Sequence, residues 1–353
     1  MKPCKGRGAV SNADGRYEPT THVVEDDGWG VLDVEPPPLK TTVTNEAART
    51  IISRNDSPDI PFDRSINPYR GCEHGCVYCF ARPTHAYQGL SPGLDFESRL
   101  FAKPNAAKLL AQELRKPGYT CEVMALGSNT DPYQPIERER RITRGLLEVL
   151  AEHNHPVAIV TKSALIERDI DVIAEMAQKN LARVYISITT LDKTLARRME
   201  PRAASPQRRL ETLRTLHTAG IPVGVLTAPM IPALNDMEME AILEAAVEAG
   251  ARSAGYVLMR LPLEIKDLFQ EWLIEHYPLK AEHVMSLIRQ SHNGKEYDAT
   301  FGARMRGTGI YADMIENRFH LACKRLGLNQ QRSLLDTRQF RVPVRSGDQL
   351  ALF

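Results

Sequence analysis

The chain contains 353 residues, and its 45 lysines and arginines nearly balance its 44 aspartates and glutamates, which gives a formal net charge of +1. The composition, 42% hydrophobic and 25% charged, is that of a folded globular protein and excludes a mainly disordered chain. No stretch approaches about 18 consecutive apolar residues, so we expect no transmembrane helix and no membrane partner. The neutral total excludes a protein that coats nucleic acid through its overall charge, but it allows a local basic groove.

The beginning of the chain and its cysteines indicate a compartment. The first seven residues lack the apolar core of a signal peptide, so we expect a cytoplasmic protein. In a reducing compartment, the six cysteines of so long a chain are not expected to form a disulfide framework. Three of the six lie within eight residues, and such a cluster indicates metal or redox chemistry.

Residues 1–60 differ from the rest of the chain. They show no sustained helical period and contain the stiff run Pro36-Pro37-Pro38. We predict an extended arm that lies over a domain, with one short strand at 41–44. A partly disordered tail is the alternative.

From Ser65 to about Met259, short apolar strands alternate with helical segments, which favours a parallel sheet covered by helices. The predicted strands are 66–71, 121–127, 156–161, 183–189, 221–228 and 254–259. The predicted helices are 104–115, 138–153, 167–180, 205–219 and 236–250. Gly220 and Gly250 stand at plausible helix C-caps. Six strand–helix units predict an α/β fold, either an open doubly wound sheet or an incomplete barrel.

The last hundred residues return to helices, at 264–276 and 280–290, and then become basic. Across 303–345, nine lysines and arginines stand against three acids, an excess that the neutral total hides. Aromatic residues are interleaved with these charges at 301, 311, 319 and 340. Basic charge with aromatics is typical of a nucleic-acid surface, and a solvated face packed by a few aromatics is the alternative.

The cysteine cluster follows the first predicted strand, 66–71. Cys72, Cys76 and Cys79 have the spacing Cys-x3-Cys-x2-Cys, in a loop that Gly71 and Gly75 allow to fold tightly. Three thiolates on one loop can bind three corners of a 4Fe–4S cubane, because soft sulfur ligands suit iron–sulfur clusters. No fourth cysteine follows nearby, which leaves one iron open for a substrate or cofactor. Structural zinc would need a second, distant pair, and none exists.

This spacing resembles the signature of the radical S-adenosylmethionine (SAM) superfamily, and the resemblance covers roughly residues 65–260. It implies a partial (β/α)6 TIM-like barrel and a 4Fe–4S cluster on the three cysteines, with SAM chelated by the open iron. In that superfamily, an electron from the cluster cleaves SAM to methionine and a 5′-deoxyadenosyl radical, which abstracts a substrate hydrogen. An electron donor such as flavodoxin or ferredoxin is implied as a partner.

Local motifs resemble the spore photoproduct lyase branch of the superfamily, often called DNA-repair-photolyase-like. The residues that the resemblance places near SAM are Lys162 in Val160-Thr161-Lys162, Ser187 in Ile186-Ser187-Ile188-Thr189, Glu200 before Pro201, and Arg209 in a basic pair. Ser128, in the polar loop 127–135 after the second strand, is expected to border SAM from its position alone. Barrel active sites gather at the carboxyl ends of strands, which suits these positions. The alternatives are an ordinary turn, a surface lysine, a half-polar strand and a helix-face ion pair.

The resemblance fails at the lyase's hydrogen donor. The lyase has a cysteine after its second strand, and tyrosines relay the hydrogen atom. Here residues 125–131 contain no cysteine, and Cys121 lies near the strand's amino end, roughly 20 Å away on the other face of the barrel. Tyr78 is the candidate catalytic tyrosine, but Phe80 has no hydroxyl to relay hydrogen. Photoproduct repair itself is therefore not expected.

The leading hypothesis is a radical SAM enzyme, lyase-like or a transferase, that acts on an unidentified substrate such as DNA in repair. An RNA-modifying enzyme and a non-catalytic iron–sulfur protein that binds nucleic acid or transfers electrons are the alternatives. We divide the chain into an arm (1–60), the barrel (61–260), a helical and basic extension (261–348) and a tail (349–353).

The tail resembles a docking motif. Gln349, Leu350, Leu352 and Phe353 match the pentapeptide Gln-Leu-x-Leu-Phe with which bacterial repair and replication proteins bind the DNA sliding clamp. Two leucines and a phenylalanine can fill an apolar groove while the glutamine sets the orientation. The alternative is a terminal segment packed on its own domain.

Overall fold

A computed structural model describes residues 4–18, 38–330 and 334–344. The strands, in chain order, are β1 (Thr42–Asn45), β2 (Ile52–Arg54), β3 (Arg64–Ile66), β4 (Tyr69–Arg70), β5 (Arg99–Ala102), β6 (Met124–Leu126), β7 (Val157–Thr161), β8 (Ala182–Ser187), β9 (Val223–Met230) and β10 (Ser253–Leu258). Within the described ranges, the main sheet has the order β10-β9-β8-β7-β6-β3-β2. Its first six members are parallel, and β2 pairs antiparallel with β3. The predicted partial (β/α)6 barrel is confirmed.

Helices cover the barrel and extend beyond it. They are α1 (Leu94–Ser98), α2 (Ala106–Leu114), α3 (Glu137–Arg140), α4 (Ile142–Glu152), α5 (Ile170–Gln178), α6 (Lys193–Met199), α7 (Pro206–Thr218), α8 (Met239–Glu248), α9 (Ile265–His276), α10 (Ala281–Gln290), α11 (Ala303–Arg306) and α12 (Ile310–Arg325). The connecting helices are amphipathic: α4, for example, buries Leu146, Leu147 and Leu150. None of the helices in the described ranges combines the length and apolar character that crossing a bilayer requires.

The structure differs from the predicted elements at two places. The predicted strand 66–71 is two strands, because Pro68 has no amide hydrogen for a ladder; β4 turns away and pairs with β5. The predicted helix 138–153 is divided at Arg141, which has φ of 51°. There the buried Glu137 carboxylate accepts hydrogen bonds from the amides of Ile142 and Thr143 at 3.0 and 3.1 Å and so begins α4.

Residues predicted as an arm contribute strands to both sheets. The predicted strand 41–44 is β1, which pairs parallel with β5 in a small sheet of order β1-β5-β4. β2 also precedes residue 60, yet it extends the main sheet. The described part of residues 1–60 is therefore integrated with the barrel.

The two edge strands of the main sheet are joined by side chains. Asp59 lies in the loop between β2 and β3, and Arg304 lies in α11, beyond β10. The two form an ion pair, and the amide of Gly302 donates to Asp59 at 2.7 Å. Segments that follow opposite edges of the sheet therefore meet across the opening of the partial barrel.

The C-terminal extension builds a second apolar core against the cysteine loop. Trp272 and Phe269 of α9 are fully buried and pack in one cluster with Cys76 and Tyr78. Residues 334–344 instead run along the amino-terminal side of the barrel, where the amide of Arg341 donates to the carbonyl of His153 at 3.0 Å. The extension thus contacts both ends of the barrel.

Candidate active site

The cysteine loop joins β4 to a 3-10 helix, Arg82–Gln88. Gly71 and Gly75 have φ of +71° and +68°, the left-handed region that glycine enters without steric cost. A Cβ atom on Gly71 would stand 2.7 Å from Cδ2 of Leu100, so only glycine fits. The amide of Cys79 donates to the carbonyl of Cys76 at 3.2 Å, which folds the loop back on itself.

The three cysteines suit an iron–sulfur cluster. All three thiols are free, with Cys72 and Cys76 buried and Cys79 half-buried. Burial raises the pKa of the Cys76 thiol to about 12 in the metal-free chain, so metal binding must displace its proton. In the described ranges, no three His, Cys, Asp or Glu side chains converge as the ligands of one metal ion would. A cubane binds each thiolate through a different iron, so its three ligands need not converge.

A buried ion pair braces the cysteine loop. The side chains of Arg82 and Glu97 form this pair, and both are inaccessible to solvent. The Arg82 guanidinium also donates to the carbonyl of Cys76 at 2.8 Å and to that of Gly75 at 3.1 Å. Hydrogen bonds to a charged group are stronger than neutral ones, so this brace holds the backbone of the cysteine loop.

The N-terminal segment, residues 4–18, packs on the same brace. The amides of Gly8 and Ala9 donate to the Glu97 carboxylate at 2.9 and 2.8 Å, and the Arg7 guanidinium donates to the Glu97 carbonyl at 2.6 Å. The sequence gave no sign of this contact, because it joins residues that are about 90 positions apart.

Lys162 and Ser187 meet beside the cysteine loop. Lys162 follows β7 and Ser187 ends β8, and the Lys162 ammonium donates to the Ser187 hydroxyl at 3.0 Å. The same nitrogen lies 5.7 Å from the centre of the Tyr78 ring. Parallel strands bring their carboxyl ends to one edge, which is why residues 25 positions apart come together here.

Glu200 and Arg209 form a buried ion pair that contacts Tyr78 and the backbone of Ser187. Glu200 accepts hydrogen bonds from Tyr78, from Thr189 at 2.6 Å, and from Arg209. Burial alone would raise the pKa of Glu200, but the charges of Arg209 and Lys162 and these hydrogen bonds lower it to about 2. The remaining Arg209 donors reach the carbonyls of Ser187 and Ala204. The pair is therefore buried rather than on an exposed helix face, and it contacts Tyr78 and the end of β8.

Asp131 organises the polar loop after β6, although the sequence did not single it out within that loop. Its carboxylate accepts from the amide of Lys162 at 2.8 Å and the hydroxyl of Thr161 at 2.7 Å, and lies 3.3 Å from Nδ1 of His74. Burial opposes ionisation, yet the His74 charge and these hydrogen bonds lower the pKa of Asp131 to about 2. Asp131 thus links the cysteine loop to the end of β7.

Ser128 and Cys121 stand at different ends of β6. Ser128 is half-buried in the loop after the strand, and its side chain has no hydrogen bond within the described ranges. Cys121 precedes the strand, and burial raises the pKa of its thiol to about 12. Cys121 therefore lies at the opposite end of β6 from the loop that holds Ser128.

A cavity of about 730 Å³ opens on another side of the cysteine loop. Its walls include Glu73 and His74 of the loop, Tyr133 after β6 and Ser163 after β7. Lys162 and Ser187 do not line it. The cavity is thus separate from the Lys162–Ser187 group.

Comparison with known proteins identifies the family. Residues 66–246, more than half of the chain, match the Radical SAM superfamily. The chain belongs to this superfamily. It is therefore an enzyme of the class that uses a 4Fe–4S cluster and SAM.

Its relatives include proteins without an assigned function. The chain is 36% identical over 233 residues to the uncharacterized protein Rv2578c of Mycobacterium tuberculosis, covering 65% of this chain and 68% of that protein. Among solved structures, spore photoproduct lyase complexed with dinucleoside spore photoproduct matches with a TM-score of 0.59. The sequence identity is 16%, and the match covers 81% of this chain and 80% of the lyase. This likeness shows the fold.

Proposed function

We propose that this radical SAM enzyme binds its cluster through Cys72, Cys76 and Cys79, binds SAM beside Lys162 and Ser187, and acts on nucleic acid. The cluster, when bound, supplies the electron that cleaves SAM to methionine and a 5′-deoxyadenosyl radical. The observation that carries the proposal is the Lys162 ammonium, which lies between the Ser187 hydroxyl and the Tyr78 ring.

Lys162 is suited to the carboxylate of SAM. A cation at the carboxyl end of a barrel strand, held by a hydroxyl, gives a charge-assisted hydrogen bond to an anionic group. The Ser187 hydroxyl accepts a hydrogen bond from the Lys162 ammonium and donates one to the carbonyl of Ala228 at 3.3 Å. Ser128, in the loop after β6, is proposed as a further polar contact to SAM.

Glu200 and Arg209 are positioning residues in this proposal, because they contact other protein groups and not SAM. Arg209 directs its donors to protein acceptors, and the Glu200 carboxylate is held by three protein donors. The pair therefore orients Tyr78 and the end of β8 beneath SAM. Tyr78 is our candidate for a catalytic tyrosine, with its hydroxyl 3.2 Å from Thr189 and donating to Glu200.

Nucleic acid is the substrate class that the fold and the rim of the site favour. The lyase of the same fold was solved with a dinucleoside bound. In this chain, an aromatic side chain, Phe80, is exposed immediately after the ligand Cys79. Exposed rings are the groups on which unpaired bases stack. DNA and RNA share this chemistry and are separated by experiment.

The experiment uses the anaerobically reconstituted chain with a strong reductant. The wild type should release 5′-deoxyadenosine from SAM, Cys76→Ala should abolish release, and Cys121→Ala should retain it because all three ligands remain. A wild type that carries a 4Fe–4S cluster but never forms 5′-deoxyadenosine would contradict the SAM site. Deuterium transfer between SAM and single-stranded DNA, RNA or peptide identifies the substrate, and transfer to peptide alone would contradict nucleic acid.

Two partners are proposed from the sequence. The tail at 349–353, which lies outside the described residues, is proposed to bind a DNA sliding clamp. A clamp pull-down that Leu352→Ala and Phe353→Ala leave undiminished would end that idea. Flavodoxin or ferredoxin is proposed as the electron donor, tested by whether reduced flavodoxin supports 5′-deoxyadenosine release in place of the chemical reductant.

A further inference from the structure

Arg260 is a cation at the rim of the site that forms no ion pair with the described residues. It follows β10 by two residues, at the carboxyl end of the barrel. Its guanidinium lies 4.3 Å from the centre of the ring of Phe80, which is the residue directly after Cys79. Within the described ranges, its N–H groups have neither a hydrogen-bond acceptor nor an ion-pair partner. Its five donors are thus available to a ligand.

The basic C-terminal stretch, by contrast, is largely neutralised within the protein. Arginines of the stretch that form ion pairs are Arg304 with Asp59, Arg306 with Glu316, Arg318 with Glu240, Arg325 with Glu244 and Arg338 with Asp336. The excess charge read from the sequence is therefore not a free basic surface over its described part. The unpaired cation lies instead beside the cysteine loop.

A half-buried charge without a partner is costly. Burial lowers the pKa of Arg260 from its ordinary value, because the charged form loses hydration, but Arg remains protonated at neutral pH. An anion that reached the guanidinium would replace the lost hydration with charge-assisted hydrogen bonds. Arg also recognises phosphate bidentately through its planar donors.

Two other arginines contact exposed aromatic rings. Arg304 lies 4.7 Å from the centre of the Phe301 ring, and its partner Asp59 is close enough to Arg260 for their charges to interact. Arg16 lies 5.4 Å from the centre of the Tyr17 ring and forms an ion pair with Glu264, which follows Arg260 by four residues in the sequence.

These rings are open to solvent. Phe80 is 44% exposed, Phe301 is 55% exposed and Tyr17 is 55% exposed. Tyr17 also stacks on Tyr87, which is 67% exposed, with ring centres 5.4 Å apart. Arginine combined with exposed rings is how proteins hold single-stranded nucleic acid, with phosphates on the cations and bases on the rings.

We propose that Arg260 and Phe80 form a nucleotide subsite at the rim of the cysteine loop, in which the guanidinium binds a phosphodiester and the exposed side of the Phe80 ring stacks on a base. This subsite would hold a nucleotide at the residue directly after Cys79. It rests on the nucleic-acid substrate proposed above and adds the residues that hold it.

The test measures binding of fluorescein-labelled single-stranded DNA and RNA oligonucleotides, of about twelve nucleotides, to the reconstituted full chain by anisotropy at several salt concentrations. Arg260→Gln should weaken binding about tenfold and reduce the slope against log salt by about 0.7, the effect of one lost phosphate contact. Phe80→Ala should weaken binding by a similar factor without changing the slope, because stacking carries no charge.

Arg325→Gln is the matched control, because it removes the same charge from an arginine paired with Glu244. Its affinity should stay within about twofold of the wild type. Unlabelled oligonucleotide should displace the probe far more effectively than inorganic phosphate, which distinguishes a polymer site from a free-phosphate site. Equal displacement by phosphate would overturn the polynucleotide assignment.

Three further outcomes would each contradict the proposed subsite. If the wild type binds oligonucleotide and Arg260→Gln binds it equally at every salt concentration, the subsite is wrong while the proposed substrate class stands. If the wild type binds no oligonucleotide, the substrate class fails and the subsite fails with it. If Arg260→Gln loses the 4Fe–4S absorbance, Arg260 supports the cluster and the subsite is again wrong.

Discussion

Gly8 and Gly75 are in direct contact: a Cβ atom on Gly8 would stand 1.8 Å from the carbonyl oxygen of Gly75. Gly75 lies between Cys72 and Cys76, and Gly8 lies in the N-terminal segment, so the segment is in direct contact with the cysteine loop. Glu97 joins the two sides, because it accepts a hydrogen bond from the Gly8 amide and pairs with Arg82, which donates to the Gly75 carbonyl. The order of the cysteine loop therefore depends on residues far from the superfamily signature.

Gly8→Ala should displace the cysteine loop. A backbone oxygen at 1.8 Å cannot be avoided by rotating a side chain, so the loop or the N-terminal segment must move. We expect the variant to retain less than about half of the wild-type iron after reconstitution. Gly145→Ala is the control, because its nearest neighbour is the Ala107 Cβ at 3.4 Å. Equal iron in both variants would show that the contact is dispensable.

Lys162→Met should weaken SAM binding. Removing the ammonium leaves the SAM carboxylate without its charge-assisted partner, so we expect the Kd to rise by at least about tenfold. Equilibrium binding of labelled SAM to the reconstituted protein measures this directly. Lys179→Met, which removes an exposed lysine paired with Glu175 on α5, should leave the Kd unchanged. A Kd unaffected by Lys162→Met argues for a SAM pose away from β7.

Breaking the buried pair of Glu200 and Arg209 should destabilise the fold strongly. Arg209→Met leaves an uncompensated carboxylate in a buried site, at a cost of about 3–5 kcal/mol in the free energy of unfolding. The double variant with Glu200→Gln should recover part of that loss, because no unpaired charge remains. Urea unfolding under anaerobic conditions gives all three values.

The exposed pair of Arg325 and Glu244 offers the control for this comparison. Both side chains are open to solvent, so Arg325→Met should cost no more than about 1 kcal/mol. If Arg209→Met were no more damaging than Arg325→Met, the buried pair would have no positioning role.

His155 should make the fold less stable in mild acid. Burial lowers the pKa of His155 to about 4, and its Nε2 accepts a hydrogen bond from Tyr119 at 2.8 Å. The unfolded chain binds a proton on this residue below about pH 6.5, whereas the folded chain does not, so stability falls as the pH drops from 6.5 towards 4. Between pH 7 and pH 5, this one group should lower the free energy of unfolding by about 2 kcal/mol.

His155→Gln removes that contribution, so its free energy of unfolding should change less between pH 7 and pH 5 than that of the wild type. His85, whose pKa burial also lowers to about 4, is present in both proteins and cancels in the comparison. Urea unfolding at both pH values provides the measurement. Parallel pH dependences in the two proteins would contradict the assignment.

Periodicity predicted the parallel strands, while the choice of a partial barrel over an open sheet came from the resemblance to the superfamily. Each parallel strand lies within or beside a predicted strand, because strands buried on both faces form continuous apolar runs. The exceptions are local: Pro68 ends a ladder, and Glu137 begins α4 inside an apparently continuous helix. Such details depend on the particular amide to which a side chain bonds. The alternation of apolar residues does not reveal that.

The candidate site was predictable where a motif marks it. Cys72 was selected by the spacing of the cysteines, and Lys162 and Ser187 by the resemblance of their motifs to the lyase. The structure brings the three elements that carry them to one edge. Glu97 and Arg260 were missed because each acts through residues distant in sequence. A glutamate inside a short helix and an arginine after a strand carry no local signal, and only the folded chain shows that one is fully bonded and the other unpaired.

The ion pair of Asp59 and Arg304 has a consequence for the size of molecules that the enzyme can accept. Backbone hydrogen bonds join the strands of the main sheet from β3 to β10 at fixed spacing. At this point the described contacts are the ion pair and one hydrogen bond from the Gly302 amide to the Asp59 carboxylate. Such contacts can break and re-form without disturbing the sheet, so we expect this edge to accommodate a bulky substrate more readily than the paired strands do.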